Sequence, residues 1–249
     1  MSSTAPLDVP PYGDLDGRWP TPHAAFRPRR WQLVTAAVIF AGLLLDVAMD
    51  GSLRALDHHV SAALLDVGVR EHPAWSGVGF VLSQAGGRGT NLAWICVLCA
   101  VILLQRRTLA PLAKALSASA IMVVAVYPFK EFLSRSYPAD PRGDYLHAPG
   151  ALGGAFPSGH QANATLLASI GAWIAMEYVR SAWVRRVVGA YAIAAPVVSA
   201  IAVLLMGYHW LTDVVAGTCA GILLLALVRW LWSTPWGLRA ERALGFRTG

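Results

Sequence analysis

The stretch GGAFPSGH, residues 153–160, lies between two long apolar segments, where a membrane protein would have an ordinary connecting loop. Pro157 sets a backbone φ angle that suits the first turn of a helix. Ser158 and Gly159 follow, so a hydroxyl group and several unbonded backbone N–H groups gather at one helix N-terminus, which favours an anion. His160 adds a side chain that exchanges a proton near neutral pH. The stretch therefore predicts an anion site with a proton donor or acceptor.

The composition of the chain is that of a membrane protein. Of its 249 residues, 56% are hydrophobic and 14% are charged, and the mean hydropathy is +0.50. A soluble domain carries about a quarter charged residues. The net charge of +6 comes from basic residues that flank apolar segments. We attribute it to membrane orientation and anionic headgroups rather than to nucleic-acid binding.

The hydropathy pattern predicts an all-α fold, a bundle of six transmembrane helices. The predicted spans cover residues 31–49, 90–105, 109–130, 157–178, 187–206 and 210–228. This pattern divides the chain into three regions. They are a disordered cytoplasmic tail over residues 1–30, a membrane domain over residues 31–232 and a basic cytoplasmic tail over residues 233–249.

Residues 52–70 differ from the spans, because apolar residues recur there at helical spacing between polar ones. Such a pattern is typical of an amphipathic helix that lies on the membrane interface, and we place it on the outer side. Asp46 and Asp50, near the end of the first span, are expected among headgroups or water. We expect the polar side chains of the amphipathic helix to form a solvated face rather than a metal site: Arg54, Asp57, His58, His59 and Asp66.

The basic residues predict the orientation of the spans. With six spans both termini lie on one side, and 14 of the 20 Lys and Arg residues fall on that side. The positive-inside rule therefore predicts that both termini are cytoplasmic. Residues 130–160 and the junction near residues 207–210 then share the outer face of the cell membrane.

A first polar cluster covers residues 130–138, KEFLSRSYP. A lysine that ends a span commonly extends its ammonium group to the headgroups, which is one interpretation of Lys130. The other interpretation is functional, because Arg135 and a proline-rich loop follow on the side that should carry few positive charges. That arrangement predicts cations gathered for an anionic substrate.

A second polar cluster covers residues 207–213, GYHWLTD, at the start of the last span. His209 and Asp213 lie four residues apart, on one face of a helix. A carboxylate bonded to one ring nitrogen of a histidine leaves the other nitrogen free to attack. Alternatively, Asp213 pairs with a lysine or arginine inside the bundle.

The chain offers no predicted metal site. Cys96, Cys99 and Cys219 lie within apolar segments, where we expect small core residues, and no His-x-x-x-His pair is present. The two clusters and the opening stretch together are rich in cations and hydrogen-bond donors. They favour phosphoryl transfer through a histidine nucleophile, with no metal or cofactor.

These clusters resemble the motifs of the membrane-bound type-2 phosphatidic acid phosphatase family, the lipid phosphate phosphatases related to vanadium haloperoxidases. The family pattern is K-x6-R-P, then P-S-G-H, then S-R-x5-H-x3-D. Residues 157–160 match the second part in full, and His209 and Asp213 match the end of the third. Lys130 and Pro138 match the ends of the first. The resemblance extends over the six predicted spans.

The resemblance implies a role for each matched residue, without a metal. His209 would attack phosphorus and form a phosphohistidine, Asp213 would orient it, and His160 would protonate the leaving oxygen. Three further groups would hold the phosphoryl oxygens: Lys130, Ser158 and the N–H of Gly159.

Two positions depart from the family pattern. Tyr137 stands in place of the arginine of the first part, and Val203 in place of the arginine of the third. A hydrogen bond to a charged group contributes about 1.5–3 kcal/mol, so both losses slow the reaction unless other groups compensate. The candidates for compensation are Arg135, Arg142 and the Tyr137 hydroxyl. Residues two apart in an extended loop point the same way, so Arg135 is expected to reach the site of residue 137.

The leading hypothesis is an integral membrane enzyme that removes phosphate from a lipid phosphate or diphosphate. Polyprenyl diphosphate, phosphatidic acid and phosphatidylglycerol phosphate are the candidate substrates. A lipid phosphotransferase that passes the same phosphoryl group to an alcohol is a second hypothesis. A non-catalytic lipid-phosphate-binding protein is a third. The missing arginines favour the third hypothesis, whereas the intact His160, His209 and Asp213 disfavour it.

Overall fold

The computed structural model describes residues 27–140, 143, 146 and 154–245. This part of the chain is helical and contains no β-strand, which confirms the predicted all-α class. Arg142 and most of the predicted tail over residues 1–30 lie outside the described residues. The described helices are α1 (Arg30–Ala48), α2 (Leu53–Leu65), α3 (Pro73–Ser83), α4 (Arg88–Arg106), α5 (Ala110–Leu133), α6 (Gly159–Tyr178), α7 (Ala182–Leu205), α8 (Leu211–Ser233) and α9 (Pro235–Ala243), with a 3-10 turn at Gln84–Gly86 before α4.

Five of the described helices are long and apolar enough to cross a membrane, namely α1, α4, α5, α7 and α8. The protein is therefore a multi-pass membrane protein. The predicted span over residues 157–178 is the exception, because α6 carries buried polar side chains such as Gln161, Asn163 and Glu177. Most of α6 is buried, and α4, α5, α7 and α8 pack around it. A helix enclosed by other helices does not need a continuous apolar surface, so its hydropathy falls below that of the five outer helices.

The helices pack as antiparallel neighbours because short loops join α4 to α5, α6 to α7 and α7 to α8. One end of the bundle, called the site end, contains the first residues of α4, α6 and α8 and the last residues of α5 and α7. The opposite end, called the terminal end, contains the start of α1 and the helix α9. The three polar motifs all fall at the site end.

Close packing of α8 against α6 sets the geometry of the site end. A Cβ atom added to Gly217 would lie 2.5 Å from the backbone oxygen of Ser158, and one added to Gly221 would lie 3.0 Å from that of Ala162. Only glycine allows the two helices to approach this closely. The packing brings the start of α8, with His209 just before it, next to the start of α6.

The described structure corrects the expectation of a fully solvated polar face on α2. Asp57 is only 1% exposed and binds Arg135, whereas His59 and Asp66 are exposed as expected. Arg135, which follows α5, neutralises the Asp57 carboxylate and so permits its burial. Asp46 also has a partner in the protein, since its carboxylate accepts the backbone N–H of Leu53 at the start of α2.

The terminal end contains a second buried charge cluster. The ammonium of Lys114 lies 2.8 Å from Glu177 Oε2 and 2.9 Å from Glu241 Oε1. Three aromatic rings surround this ammonium, and their centroids lie 4.7 Å (Trp173), 5.0 Å (Tyr178) and 5.6 Å (Trp232) from Nζ. Glu241 lies on α9, so these contacts hold α9 against α5 and α6 within the region predicted as a basic tail.

Candidate active site

The stretch PSGH, residues 157–160, lies at the N-terminus of α6. The Ser158 side chain accepts the backbone N–H of Gln161 at 3.2 Å and caps the helix. The backbone N–H of Ser158 donates to the Asp213 backbone oxygen at 2.9 Å, which ties α6 to α8. A Cβ atom added to Gly159 would lie 3.5 Å from Cε of Lys130, so the lysine stem passes directly beside this helix end.

His209 lies in the short loop between α7 and α8, and it is 5% exposed. Its Nδ1 atom lies 3.6 Å from Asp213 Oδ2, which is close but longer than a hydrogen bond. Burial lowers the pKa of His209, and the Asp213 carboxylate opposes this shift without cancelling it. The imidazole is therefore neutral at pH 7 and has an unprotonated nitrogen that can act as a nucleophile.

His160 lies beside His209 at the wall of a cavity. The two ring centroids lie 6.0 Å apart, and both side chains line a space of about 520 Å³ at the site end, called the histidine cavity. Lys130, Tyr137 and Gly159 also line it. The structure therefore gathers residues of all three motifs around one cavity.

Lys130 and Tyr137 supply hydrogen-bond donors to the histidine cavity. The Lys130 ammonium donates to the backbone oxygen of Gly154 at 2.7 Å and has two further N–H donors. The Tyr137 ring centroid lies 5.9 Å from that of His209. Burial, aided by the negative charge of Asp213, raises the pKa of Tyr137, so its hydroxyl remains a donor at neutral pH.

Arg135 does not line the histidine cavity, contrary to the expectation that it replaces the arginine missing at position 137. Its Nη2 atom lies 2.8 Å from Asp57 Oδ2, and its Nη1 atom lies 3.1 Å from Asp213 Oδ1 and 2.9 Å from Thr212 Oγ1. Two buried carboxylates hold this guanidinium, which is only 3% exposed. Asp213 therefore pairs with an arginine inside the bundle, which is the alternative that the sequence left open for this residue.

Two groups thus hold the Asp213 carboxylate directly. Its Oδ2 atom accepts the backbone N–H of Trp210 at 2.9 Å, and its Oδ1 atom accepts from Arg135. Behind Arg135, the Asp57 carboxylate accepts the N–H of Thr212 at 2.9 Å and its hydroxyl at 2.5 Å. These contacts fix the carboxylate that lies beside His209.

Asp57 belongs to none of the predicted motifs, although its position in α2 carries some information. Asp57 lies four residues after Leu53 and three before Val60, so it falls on the apolar face of α2. A charged residue on an apolar helix face predicts a buried partner. The cavity-lining residues Arg88, Asn163 and Tyr208 were also not predicted, because nothing in their local sequence indicates that they meet the histidines.

The PAP2 superfamily model matches residues 110–236, half of the chain, and this range includes all three motifs. No curated protein matches the sequence.

A solved structure supports the same relationship at the level of fold. The structure, described as the first transmembrane PAP2 type phosphatidylglycerolphosphate phosphatase from Bacillus subtilis, superposes with a TM-score of 0.61 at 20% sequence identity. The match covers 81% of this chain and 96% of that one. From the family match, the shared fold and the motifs around one cavity, we conclude that this chain belongs to the PAP2 superfamily.

Proposed function

We propose that the protein is a membrane phosphatase that hydrolyses a lipid phosphate or diphosphate through a phosphohistidine intermediate, without a metal. One observation carries the proposal: His160 and His209 lie together at the wall of the histidine cavity, with ring centroids 6.0 Å apart, and Asp213 lies behind His209. A nucleophile with a carboxylate on one side and an acid–base group opposite is the arrangement that covalent catalysis requires.

In the first step, Nε2 of His209 attacks phosphorus while Nδ1 faces Asp213. The bond between phosphorus and the leaving oxygen breaks, and protonated His160 gives its proton to that oxygen. In the second step a water attacks the phosphohistidine and the phosphorus–nitrogen bond breaks. His160 accepts the proton of the water, and inorganic phosphate leaves.

Three of the groups proposed to hold the phosphoryl oxygens belong to residues that line the histidine cavity, namely the Lys130 ammonium, the Gly159 N–H and the Tyr137 hydroxyl. The fourth is the Ser158 hydroxyl, which caps α6 next to Gly159. Charge-assisted and helix-terminus donors stabilise negative charge that develops at phosphorus. They are proposed to compensate for the arginines that Tyr137 and Val203 replace.

The proposed membrane arrangement has six spans, with α6 as the enclosed span and α2 at the interface. Both termini would be cytoplasmic, and the site end would face outward. The support comes from the distribution of charge, because 14 of the 20 Lys and Arg residues belong to the terminal end and the tails. The lipid substrate would then reach the histidine cavity from the outer leaflet.

The test compares wild type with His209→Ala on a panel of lipid phosphates and diphosphates, with a chelator present. We expect the variant to lose phosphate release by at least roughly 1,000-fold, since removing a nucleophile removes the covalent route. His59→Ala, an exposed histidine of α2, is the control and should match wild type. The wild type should also accumulate an acid-labile phosphoprotein that His209→Ala does not form.

Other outcomes would identify the alternatives. A new phosphorylated lipid in the products would indicate a phosphotransferase. Equal phosphate release by wild type and His209→Ala would contradict the proposed mechanism. Binding of lipid phosphate by wild type without any turnover would indicate a binding protein.

A further inference from the structure

Arg88, the first residue of α4, lines the histidine cavity and is not part of any motif identified in the sequence. It is exposed, in contrast to Arg135, which two carboxylates hold in the protein interior. Within the described part of the chain, no carboxylate pairs with Arg88. The cavity therefore has a guanidinium that remains available to a ligand.

The turn before Arg88 packs directly against His160. A Cβ atom added to Gly86 would lie 2.5 Å from the backbone oxygen of His160 and 2.3 Å from Ser199 Oγ. Such distances are possible only because residue 86 has no side chain. The start of α4 is consequently fixed beside His160, and Lys130 lies beside the preceding residue, Gly159, at the start of α6.

Hydrogen bonds hold this turn in place. The Asn91 side-chain amide, fully buried, donates to the backbone oxygens of Ala85 at 2.8 Å and Gly87 at 3.0 Å. The Tyr191 hydroxyl of α7 lies 3.4 Å from the Ala85 oxygen. Arg88 thus extends from a rigid platform, and a preorganised cation loses less entropy when it binds an anion.

The electrostatics at the start of α4 favour an external anion. A positive side chain in the first turn of a helix is repelled by the partial positive charge of the helix N-terminus. The repulsion is relieved when an anion binds both the guanidinium and the free backbone N–H groups. An anionic ligand group beside His160 would meet both.

We propose that Arg88 binds a second anionic group on the leaving-group side of the substrate, so that the protein prefers a lipid diphosphate to a lipid monophosphate. The proposal rests on the proposed function, in which His160 protonates the leaving oxygen. In a diphosphate, His209 attacks the terminal phosphorus and the bond from that phosphorus to the bridging oxygen breaks. His160 protonates the bridging oxygen, and Arg88 holds the phosphate that stays on the lipid. Lys130 holds the transferred phosphoryl group.

The experiment measures kcat/KM on a matched pair, a short-chain prenyl diphosphate and the monophosphate of the same prenyl chain. Arg88→Ala should lower kcat/KM for the diphosphate by about 10- to 100-fold, the loss expected for one charge-assisted hydrogen bond. It should leave kcat/KM for the monophosphate within about 3-fold of wild type, which is within the range of a neutral surface change. Arg88→Lys should recover part of the loss. Arg70→Ala removes an exposed arginine from the same end outside the cavity and should change neither substrate.

Two results would overturn the inference. An equal loss on both substrates would place Arg88 at the transferred phosphoryl group, and no loss on either would remove it from the site. A separate binding measurement uses His209→Ala and the double variant His209→Ala/Arg88→Ala with a fluorescent prenyl diphosphate. If wild type releases no phosphate but the double variant binds this probe at least 10-fold more weakly than His209→Ala, the proposed hydrolysis fails while Arg88 remains a ligand for the anionic headgroup.

Discussion

The two ends of the bundle each bury a cation between two carboxylates, and among the described residues the cluster at the site end adjoins the histidine cavity through His209. At the site end, Arg135 lies between Asp57 and Asp213, and Thr212 completes the cluster. At the terminal end, Lys114 lies between Glu177 and Glu241. We call these the Arg135 network and the Lys114 network.

The networks differ in what surrounds them. The Lys114 ammonium is enclosed by three aromatic rings and joins α5, α6 and α9. One of the two carboxylates in the Arg135 network is that of Asp213, whose Oδ2 atom lies 3.6 Å from Nδ1 of His209. Burying an ion pair is costly in both places. Buried charge is therefore common to both networks, and the Arg135 network differs in lying next to the histidine that we propose as the nucleophile.

The largest effects are expected when one carboxylate is replaced at each end of the bundle. Asp57→Ala and Glu177→Ala each leave a buried cation with one partner fewer, which should destabilise the fold by about 3–5 kcal/mol. Only Asp57→Ala should also lower kcat, by roughly 100-fold per folded molecule, because Arg135 no longer fixes Asp213 behind His209. Thermal unfolding in detergent and kcat on the preferred lipid measure the two effects.

Asp66→Ala serves as the control for the substitution on α2, since Asp66 is exposed. It should resemble wild type in both measurements. A similar fall in kcat for Asp57→Ala and Glu177→Ala would contradict a special role for the Arg135 network.

A second test uses one glycine at each end. A Cβ atom at Gly86 would lie 2.5 Å from the His160 oxygen, and one at Gly237 would lie 2.5 Å from the Leu231 oxygen. Both substitutions to alanine should lower the melting temperature. Gly86→Ala should in addition reduce kcat/KM roughly 10-fold or more, because it displaces His160 from His209, whereas Gly237→Ala should leave it unchanged.

Gly42→Ala is the neutral control, since a Cβ atom there has no heavy atom within 4 Å. If Gly86→Ala lowers the melting temperature but keeps full activity, the reaction does not depend on a fixed distance between the two histidines.

The smallest expected effect is a change in pH dependence. Burial lowers the pKa of His209, so the imidazole stays unprotonated below its usual value of about 6.5. The acid limb of kcat/KM should therefore lie below pH 6.5, with activity lost only as the pH falls through the lowered pKa. Because the Asp213 carboxylate raises this pKa, Asp213→Asn should move the limb to still lower pH in the residual activity.

Glu177→Gln, at the terminal end, should leave the position of the limb unchanged. An acid limb at or above pH 6.5 in wild type would show that burial does not govern the titration of His209.

Much of the fold follows from local properties of the sequence. Hydropathy identifies α1, α4, α5, α7 and α8, because their surfaces are apolar over a full span. The second and third parts of the family pattern lie at the same end because short loops join α6 to α7 and α7 to α8. The spacing of His209 and Asp213 by one helical turn is also visible in the sequence.

The contacts of Arg135 and Arg88 could not be predicted in this way. Arg135 meets Asp57, a residue 78 positions away, so the contact depends on how α2 packs against the end of α5. The position of Arg88 depends on the close approach at Gly86. A glycine-rich break in the sequence indicates a turn, but it does not indicate which helix the turn touches.

Arg135 and Lys114, the buried cations that each lie between two carboxylates, fall within the family-matched range of residues 110–236, but each takes one of its carboxylates from outside it. Asp57 precedes this range and Glu241 follows it. The matched segment is therefore not a self-contained module for protein engineering. A chimera that grafts it between the flanking helices of another protein would inherit two underneutralised interior charges. A graft that also transfers α2 and α9 would keep both acids with their cations.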